Sequence, residues 1–231
     1  MLEVRDIHAG YGQARVLHGL SFSAKTGEIL CLAGRNGAGK TTALKAVMGH
    51  LPLSGGKVIL AGKDLGGLAP HEIPRLGIGY VPQGRRLFGD MTVAENLEIG
   101  LMARKSPRTV RDRVLAAFPR LGERLGQRAA TLSGGEQQML AMGRALCLEP
   151  SVLLLDEPTE GLQPSMTELI RSSLASLKAD GVAIVLVEQR VDAVLALADH
   201  VAFVENGRNG QTVTAAALRA DPDLMRRYVG I

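Results

Sequence analysis

Tryptophan is absent from this sequence of 231 residues, and three tyrosines and four phenylalanines bring the aromatic share to only 3%. A chain so poor in rings lacks the stacking platforms that single-stranded nucleic acid needs, and its basic residues are scattered in small groups such as Arg85-Arg86. No nucleic-acid partner is expected. Cysteine is nearly as scarce: Cys31 lies in an apolar run and Cys147 in a helical pattern, with no metal-ligand spacing. Both read as reduced core residues, which excludes a disulfide framework or a thiolate metal centre. Long apolar runs are missing too. None approaches the roughly 20 residues needed to span a bilayer. Met1-Leu2-Glu3-Val4-Arg5-Asp6 is charged and reads as a strand, not as a signal peptide. Attachment to a membrane therefore has to come through a partner. A strong charge of one sign is also lacking, and the net charge of +4 permits an anionic partner without demanding one. What is present is apolar material, 46% of residues, sufficient for one sizeable core.

Glycine, by contrast, is plentiful and is concentrated in one informative place. Gly34-Arg35-Asn36-Gly37-Ala38-Gly39-Lys40-Thr41 fits the pattern of glycine, four residues, glycine, lysine and a hydroxyl residue that makes a phosphate-binding loop. The run Ile29-Leu30-Cys31-Leu32-Ala33 before it suits a strand buried on both faces. Gly34, Gly37 and Gly39 let the chain turn tightly and aim successive N–H groups at one anion, and a helix starting near Lys40 adds its positive end. The expected nucleotide-binding segment is Gly34, Arg35, Asn36, Gly37, Ala38, Gly39, Lys40, Thr41 and Thr42. Within it, Lys40 is placed for the β- and γ-phosphates and the Thr41 hydroxyl for magnesium. A glycine-rich turn before an ordinary helix would show the same letters, so a second segment has to decide.

Val152-Leu153-Leu154-Leu155-Asp156-Glu157 is that segment, another buried-strand run ending in two carboxylates. Doubly wound sheets place ligand chemistry at this edge. Asp156 is placed to hold magnesium, directly or through water, and Glu157 to polarise an attacking water as general base.

Leu132-Ser133-Gly134-Gly135-Glu136 stands between the two elements. With the three segments in this order, the chain resembles the nucleotide-binding subunit of an ATP-binding cassette transporter over nearly its whole length. The resemblance implies ATP hydrolysis with magnesium. It also implies that Ser133, Gly134, Gly135 and Glu136 form a signature motif acting on ATP held by the opposite subunit, Ser133 and Gly135 touching the γ-phosphate. A helix from about Gly135 to Leu148, with Met139, Met142 and Leu146 on one face, begins there. Tyr11 occupies the place of the aromatic residue that stacks on adenine. Gln83, in Tyr80-Val81-Pro82-Gln83-Gly84, matches the Q-loop glutamine, which touches magnesium and senses the membrane subunit. Gly161 and Gln163 occupy the D-loop, where the commoner family form has aspartate in place of Gln163. Gln189 stands where the family usually carries a switch histidine. Glutamine donates a hydrogen bond but carries no proton near neutral pH, and a role limited to capping the strand end stays open.

The implied fold is α/β: a mostly parallel core sheet of the phosphate-loop NTPase kind, an antiparallel β subdomain and an α-helical subdomain, within a single domain spanning 1–231. Residues 1 to about 30 read as short strands around glycine turns, and Lys57–Leu60 and Ile78–Val81 as further strands. From about 84 to 147 the pattern is helical, including Val93–Met102 and Arg111–Phe118. Met166, Leu169, Ile170, Ser173, Leu174 and Leu177 have helical spacing, and Glu205-Asn206-Gly207 reads as a hairpin turn.

Partners implied by the resemblance are a second cassette ATPase in a heterodimer, with a homodimer of the isolated chain as the alternative, two transmembrane permease subunits and a periplasmic or extracellular substrate-binding protein. The place implied is the cytoplasmic face of the membrane. Glu160-Gly161-Leu162 and Val187-Glu188-Gln189 look like the smaller ATPase of importers for branched-chain amino acids and urea. Gly34-Arg35-Asn36-Gly37, Val81-Pro82-Gln83-Gly84 and Pro158-Thr159-Glu160-Gly161-Leu162-Gln163-Pro164 look closer to the urea branch, which implies uptake of urea or a short-chain amide, with the amino-acid branch as the alternative. Two other classes share these motifs. A cassette ATPase acting on DNA or ribosomes would bring a coiled-coil insertion or a second cassette, and a nonhydrolytic regulator would not need Lys40, Asp156 and Glu157 intact.

Overall fold

Residues 1–221 and 223–229 are described in the computed structural model, with the main chain alone for 225, 226 and 229. The chain starts with two long strands, β1 (Leu2–Tyr11) and β2 (Ala14–Ala24), where short ones were expected. Register shifts between Val4 and Ile7, Ile7 and His8, and Ala9 and Gly10 explain the difference, as does Asp6 at φ 49°. Such bulges break the two-residue alternation by which a strand is recognised, without ending the strand.

The run Ile29–Ala33 forms β3, completely buried, and α1 (Lys40–Val47) follows the glycine loop. After β4 (Gly55–Leu60), β5 (Lys63–Asp64) and β6 (Ile78–Val81) come α2 (Val93–Arg104), α3 (Arg108–Ala117), α4 (Pro119–Gly122) and α5 (Gly134–Leu146). α3 begins earlier than Arg111 because Pro107 sits at its N-cap in an extended conformation, and charged residues hide the apolar period of its first turn. Thr92 and Glu95 form a capping box on α2, and Ser133 and Glu136 form one on α5. The chain continues through β7 (Val152–Asp156), α6 (Pro164–Ala179), β8 (Ala183–Val187) and α7 (Val191–Leu197). It closes with β9 (His200–Glu205), β10 (Arg208–Thr214), α8 (Ala215–Ala220) and α9 (Asp223–Val229).

Two sheets result. An antiparallel sheet runs β2-β1-β4-β5, and a six-stranded sheet runs β10-β9-β3-β8-β7-β6, parallel throughout except for β10. Every residue of β3, β7 and β8 is buried because both faces of the larger sheet are covered. Leu154 and Val185 face the antiparallel sheet and α1, packing with Ile7, Leu20 and Leu44. Their neighbours Leu153, Leu155, Ile184 and Leu186 face the helices, packing with Leu97, Met139, Leu140, Ile170 and Leu174. The helical segment between β6 and β7 thus shares its core with the sheet.

Parallel alignment puts the exits of four strands side by side. Val81 pairs with Leu155, Asp156 with Val187, and Leu32 with Val187. The segments that follow, beginning at Gly34, Gln83, Glu157 and Glu188, therefore emerge at one edge. The β9–β10 turn braces this edge from behind: Asn206 and Gly207 have φ of 48° and 71°, the Gly207 N–H donates to the Ala38 carbonyl at 2.8 Å, and the Gly207 carbonyl accepts the His18 N–H at 2.8 Å. Among the described residues, no helix is long and apolar enough to cross a membrane.

Candidate nucleotide-binding and catalytic site

At this edge lies a cavity of 720 Å³ lined by Asn36, Gly37, Gly39, Lys40, Thr41 and Thr42 on one side and by Gln83, Glu157, Glu160, Gly161, Glu188, Gln189 and Arg190 on the other. Val16 of β2 closes one end. Of the segment expected to bind nucleotide, Asn36, Gly37 and Gly39 to Thr42 line the cavity. Gly34 and Ala38 lie beneath it. A β-carbon at Gly34, where φ is 155°, would sit 2.2 Å from the Val204 carbonyl oxygen, so the loop rests directly on β9. Gly34→Ala should cost about 1–3 kcal/mol of stability through this overlap, read as a lowered urea midpoint with unchanged slope.

Lys40 is 5% exposed, and its ammonium donates to the carbonyls of Gly34 at 2.7 Å and Arg35 at 2.9 Å. The loop thus curls around its own cation. Burial lowers the Lys40 pKa, and the Glu157 and Asp156 carboxylates oppose that effect. Next to it, the Thr41 hydroxyl donates to Asp156 Oδ1 at 3.0 Å. Asp156 Oδ2 is buried and has no hydrogen-bond partner. Burial raises the Asp156 pKa, partly offset by the Thr41 hydroxyl, by Lys45 and Lys40 and by the Gln83 main chain. A hydroxyl oxygen beside a buried carboxylate with a spare oxygen is a donor set suited to a hard divalent cation, so the residues present fit magnesium.

Glu157 leaves β7 with φ 51°, a left-handed turn, and its N–H donates to the Val187 carbonyl at 3.0 Å. Its carboxylate is held by amides from two different loops. Gln189 Nε2 donates to Oε1, and Gln83 Nε2 donates to Oε2 at 2.9 Å. Gln83 also reaches Glu160 at 3.1 Å. Burial raises the Glu157 pKa; the Gln189 amide and Lys40 work against it, whereas Glu160 and Asp156 add to it.

Other expected residues lie elsewhere. Tyr11 does not line the cavity: its ring is 46% exposed at the tip of the β1–β2 hairpin, with the Lys45 ammonium 5.6 Å from the ring centroid. Arg35 touches the site only through its carbonyl. Gln163 is the N-cap of α6, beyond Gly161. Ser133, Gly134, Gly135 and Glu136 open α5 away from the cavity, where the Ser133 hydroxyl donates to Glu136 Oε2 at 2.8 Å. That bond and the Ser133 N–H hold the Glu136 carboxyl below the usual range. A link to the cavity does exist. Gly84, Arg85 and Arg86 all have positive φ (75°, 64° and 48°), and Arg144 of α5 donates to the Arg86 carbonyl at 2.8 Å. Arg85 in turn donates to Gln137 at 3.0 Å. The loop bearing Gln83 is therefore fastened to the helix bearing the Ser133 cap. The sequence marks Arg85-Arg86 only as a small basic group and Glu188 only as part of Val187-Glu188-Gln189, with no role at the site for any of them, and Arg144, Val16 and Arg190 carry no motif.

Residues 17–160 match the sequence profile of a family described as ABC transporter. The chain belongs to the ABC transporter family. Its cassette is the family's ATP-binding, ATP-hydrolysing module, and the two sheets flanked by helices are the cassette fold. End to end, the cassette is 44% identical to the high-affinity branched-chain amino acid transport ATP-binding protein BraG of Pseudomonas aeruginosa, covering 100% of both chains. It is 37% identical to the probable branched-chain amino acid transport ATP-binding protein LivF of Archaeoglobus fulgidus, covering 100% of this chain and 99% of the relative. A crystal structure of a nucleotide-free ATP-binding cassette from an ABC transporter superposes with a TM-score of 0.86 at 28% identity, covering 100% of this chain and 99% of that one.

Proposed function

We propose that this cassette powers the import of branched-chain amino acids, as the ATPase subunit docked on the cytoplasmic side of two transmembrane permease subunits. The observation that carries this reading is the end-to-end identity of 44% to an amino-acid transport subunit. That relative and the 37% identical LivF favour the amino-acid branch over the urea branch to which the loop variants point. The physical reason is simple: the loops at Gly34, Gln83 and Gly161 face nucleotide chemistry and never meet the transported solute. ATPase assays on the transporter, reconstituted with its permeases and binding protein, test the reading. Leucine should stimulate turnover and urea should not, and stimulation by urea alone would refute it.

In this reading Lys40 and the loop from Gly34 to Thr42 bind the phosphates, and Tyr11, exposed at its hairpin tip, is available to stack on adenine. Thr41, Asp156 and Gln83 would hold magnesium, which supplies charge neutralisation on the phosphate oxygens. Glu157 takes the proton of the attacking water, and the amides of Gln83 and Gln189 aim its carboxylate. Gly161 and Gln163 relay between sites. The exposed cap at Ser133, with Gly134, Gly135 and Glu136, completes the cleft of a second cassette, so the working unit is a dimer, here a heterodimer with a larger ATPase. A substrate-binding protein delivers the amino acid to the permeases.

A pH dependence follows from Glu157. Its conjugate base is the active form, and burial raises its pKa above the ordinary 4.5. As pH falls, the base is lost sooner than for an exposed glutamate, so the acid limb of kcat should lie above pH 4.5. A kcat flat down to that pH would contradict the assignment.

A further inference from the structure

Glu188 follows β8 directly, and it is only 3% exposed. Its carboxylate is tied to two segments that border the cavity. Oε1 accepts the main-chain N–H of Gln189 at 2.9 Å and that of Arg190 at 3.1 Å. Oε2 accepts the hydroxyl of Thr159 at 2.5 Å, and Thr159 is itself 1% exposed in the turn after β7. A buried carboxylate is costly to keep unless its oxygens are hydrogen-bonded. Here both are, and the donors are not local to one turn. The chain leaving β8 is capped in a fixed direction by the two N–H bonds, then fastened across to the chain leaving β7 by the hydroxyl.

Those two segments carry the side chains that meet in the cavity. Gln189 donates its amide to Glu157, one residue beyond Glu188 on one side and two before Thr159 on the other. Rotation of the Gln189 backbone would withdraw the amide from Glu157, and Glu188 is the group that opposes such rotation. The Glu157 carboxylate is held by side-chain amides alone, Gln189 on Oε1 and Gln83 on Oε2, so its direction depends on where those two loops place them. Misplacing a reacting group by about 1 Å can cost on the order of 10²-fold in rate, so a clamp on its orienting partner has kinetic consequences.

We infer that Glu188 is a positioning residue for ATP hydrolysis: by clamping the main chain of Gln189 to Thr159, it holds the Gln189 amide on the Glu157 carboxylate. The inference rests on the reading of Glu157 as base and Gln189 as the group that aims it. It differs from a strand-end cap in what it predicts, because a cap alone would affect stability and leave the catalytic step unchanged.

The test uses variants of this chain in the assembled transporter, with ATP turnover and thermal unfolding as readouts. Glu188→Ala should lower kcat by about tenfold or more while KM for ATP changes less than about twofold, because the phosphate loop is untouched. Glu188→Gln should restore kcat to within about threefold of the wild type, since its amide oxygen accepts the same two N–H groups and its NH₂ donates to Thr159. Because Glu188 acts through Gln189, the double variant Glu188→Ala/Gln189→Ala should be no slower than Gln189→Ala alone. Losses that multiply in the double variant overturn the inference. So does a lowered unfolding temperature in Glu188→Ala with kcat unchanged. Should Glu188→Ala not fold, Thr159→Val and Thr159→Ser carry the test: loss of the hydroxyl should slow turnover and its retention should restore it, and equal rates overturn the clamp. Gln189→Ala at full rate would contradict the underlying reading, and that result is told apart because it needs no change at Glu188.

Discussion

Glu157→Gln should lower hydrolysis of ATP in this cleft by about 10²–10⁴-fold, the range that general-base catalysis supplies, and should leave ATP bound. The substitution is nearly isosteric, and the hydrogen bonds from Gln83 and Gln189 show why binding survives it. Both amides reach the carboxylate from loops outside the phosphate-binding segment, so Lys40 and the turn from Gly34 to Gly39 keep their positions. What is lost is the lone pair able to take a proton from water. Single-turnover hydrolysis of prebound ATP separates the two effects: nucleotide stays on the protein while the rate collapses. Two cassettes closed over ATP should accumulate, since reopening waits on hydrolysis. A rate within about threefold of the wild type would move the base elsewhere in the cleft, and Glu160, bonded to the same Gln83, would be the first alternative.

Asp156→Asn should move two observables in opposite directions. Its Oδ2 is buried with no partner, and burial raises its pKa in the folded chain. A carboxyl whose folded pKa lies above its unfolded value is penalised for ionising in the folded state; the penalty is present at neutral pH and disappears as pH falls below the unfolded pKa. Removing the charge should therefore stabilise the nucleotide-free protein at neutral pH, read as a raised Tm. On the reading of Asp156 as a magnesium ligand, the substitution would also remove the buried carboxylate that holds the ion, and hydrolysis should fall by about 10³-fold, the equivalent of several kcal/mol of charge stabilisation. The stabilising effect should shrink as the melt is repeated at lower pH. A lower Tm in the variant would mean that the ionised carboxylate is favoured by its surroundings, and unaltered magnesium-dependent hydrolysis would remove Asp156 from the metal site.

The parts of this protein legible in the sequence are those that local chemistry dictates. β3, β7 and β8 are continuous apolar runs because both faces are covered, and each run is short, with glycine or a carboxylate at its end, as suits a buried strand. The turn at Asn206-Gly207 announces itself because its two residues tolerate positive φ. The full lengths of β1 and β2 were hidden, since bulges around Asp6 and Gly10 scramble the alternation while the ladder continues. The Gln83–Glu157–Gln189 cluster joins residues far apart in the chain, and no spacing rule brings them together; motif resemblance did. Glu188 and Thr159 show the limit of that approach. Each lies inside a quoted segment, Thr159 in Pro158–Pro164 and Glu188 in Val187-Glu188-Gln189, but the motifs give neither a role, and the parallel pairing of β7 with β8, Asp156 opposite Val187, puts one within reach of the other. The choice between urea and amino acid was not legible locally either, because the variant segments used for it border the cavity at Asn36, Gln83 and Gly161, where a transported solute leaves no mark.

Uptake of radiolabelled leucine into vesicles, driven by ATP on this chain's side of the membrane, tests the central claim most directly when run with the wild-type chain and with Glu157→Gln. The account predicts ATP-dependent leucine accumulation with the wild type, none above the ATP-free background with Glu157→Gln, and no urea accumulation in either. Leucine uptake that persists in the variant would detach transport from this cleft, and ATP hydrolysis by the wild type without leucine uptake would detach the cleft from amino-acid import.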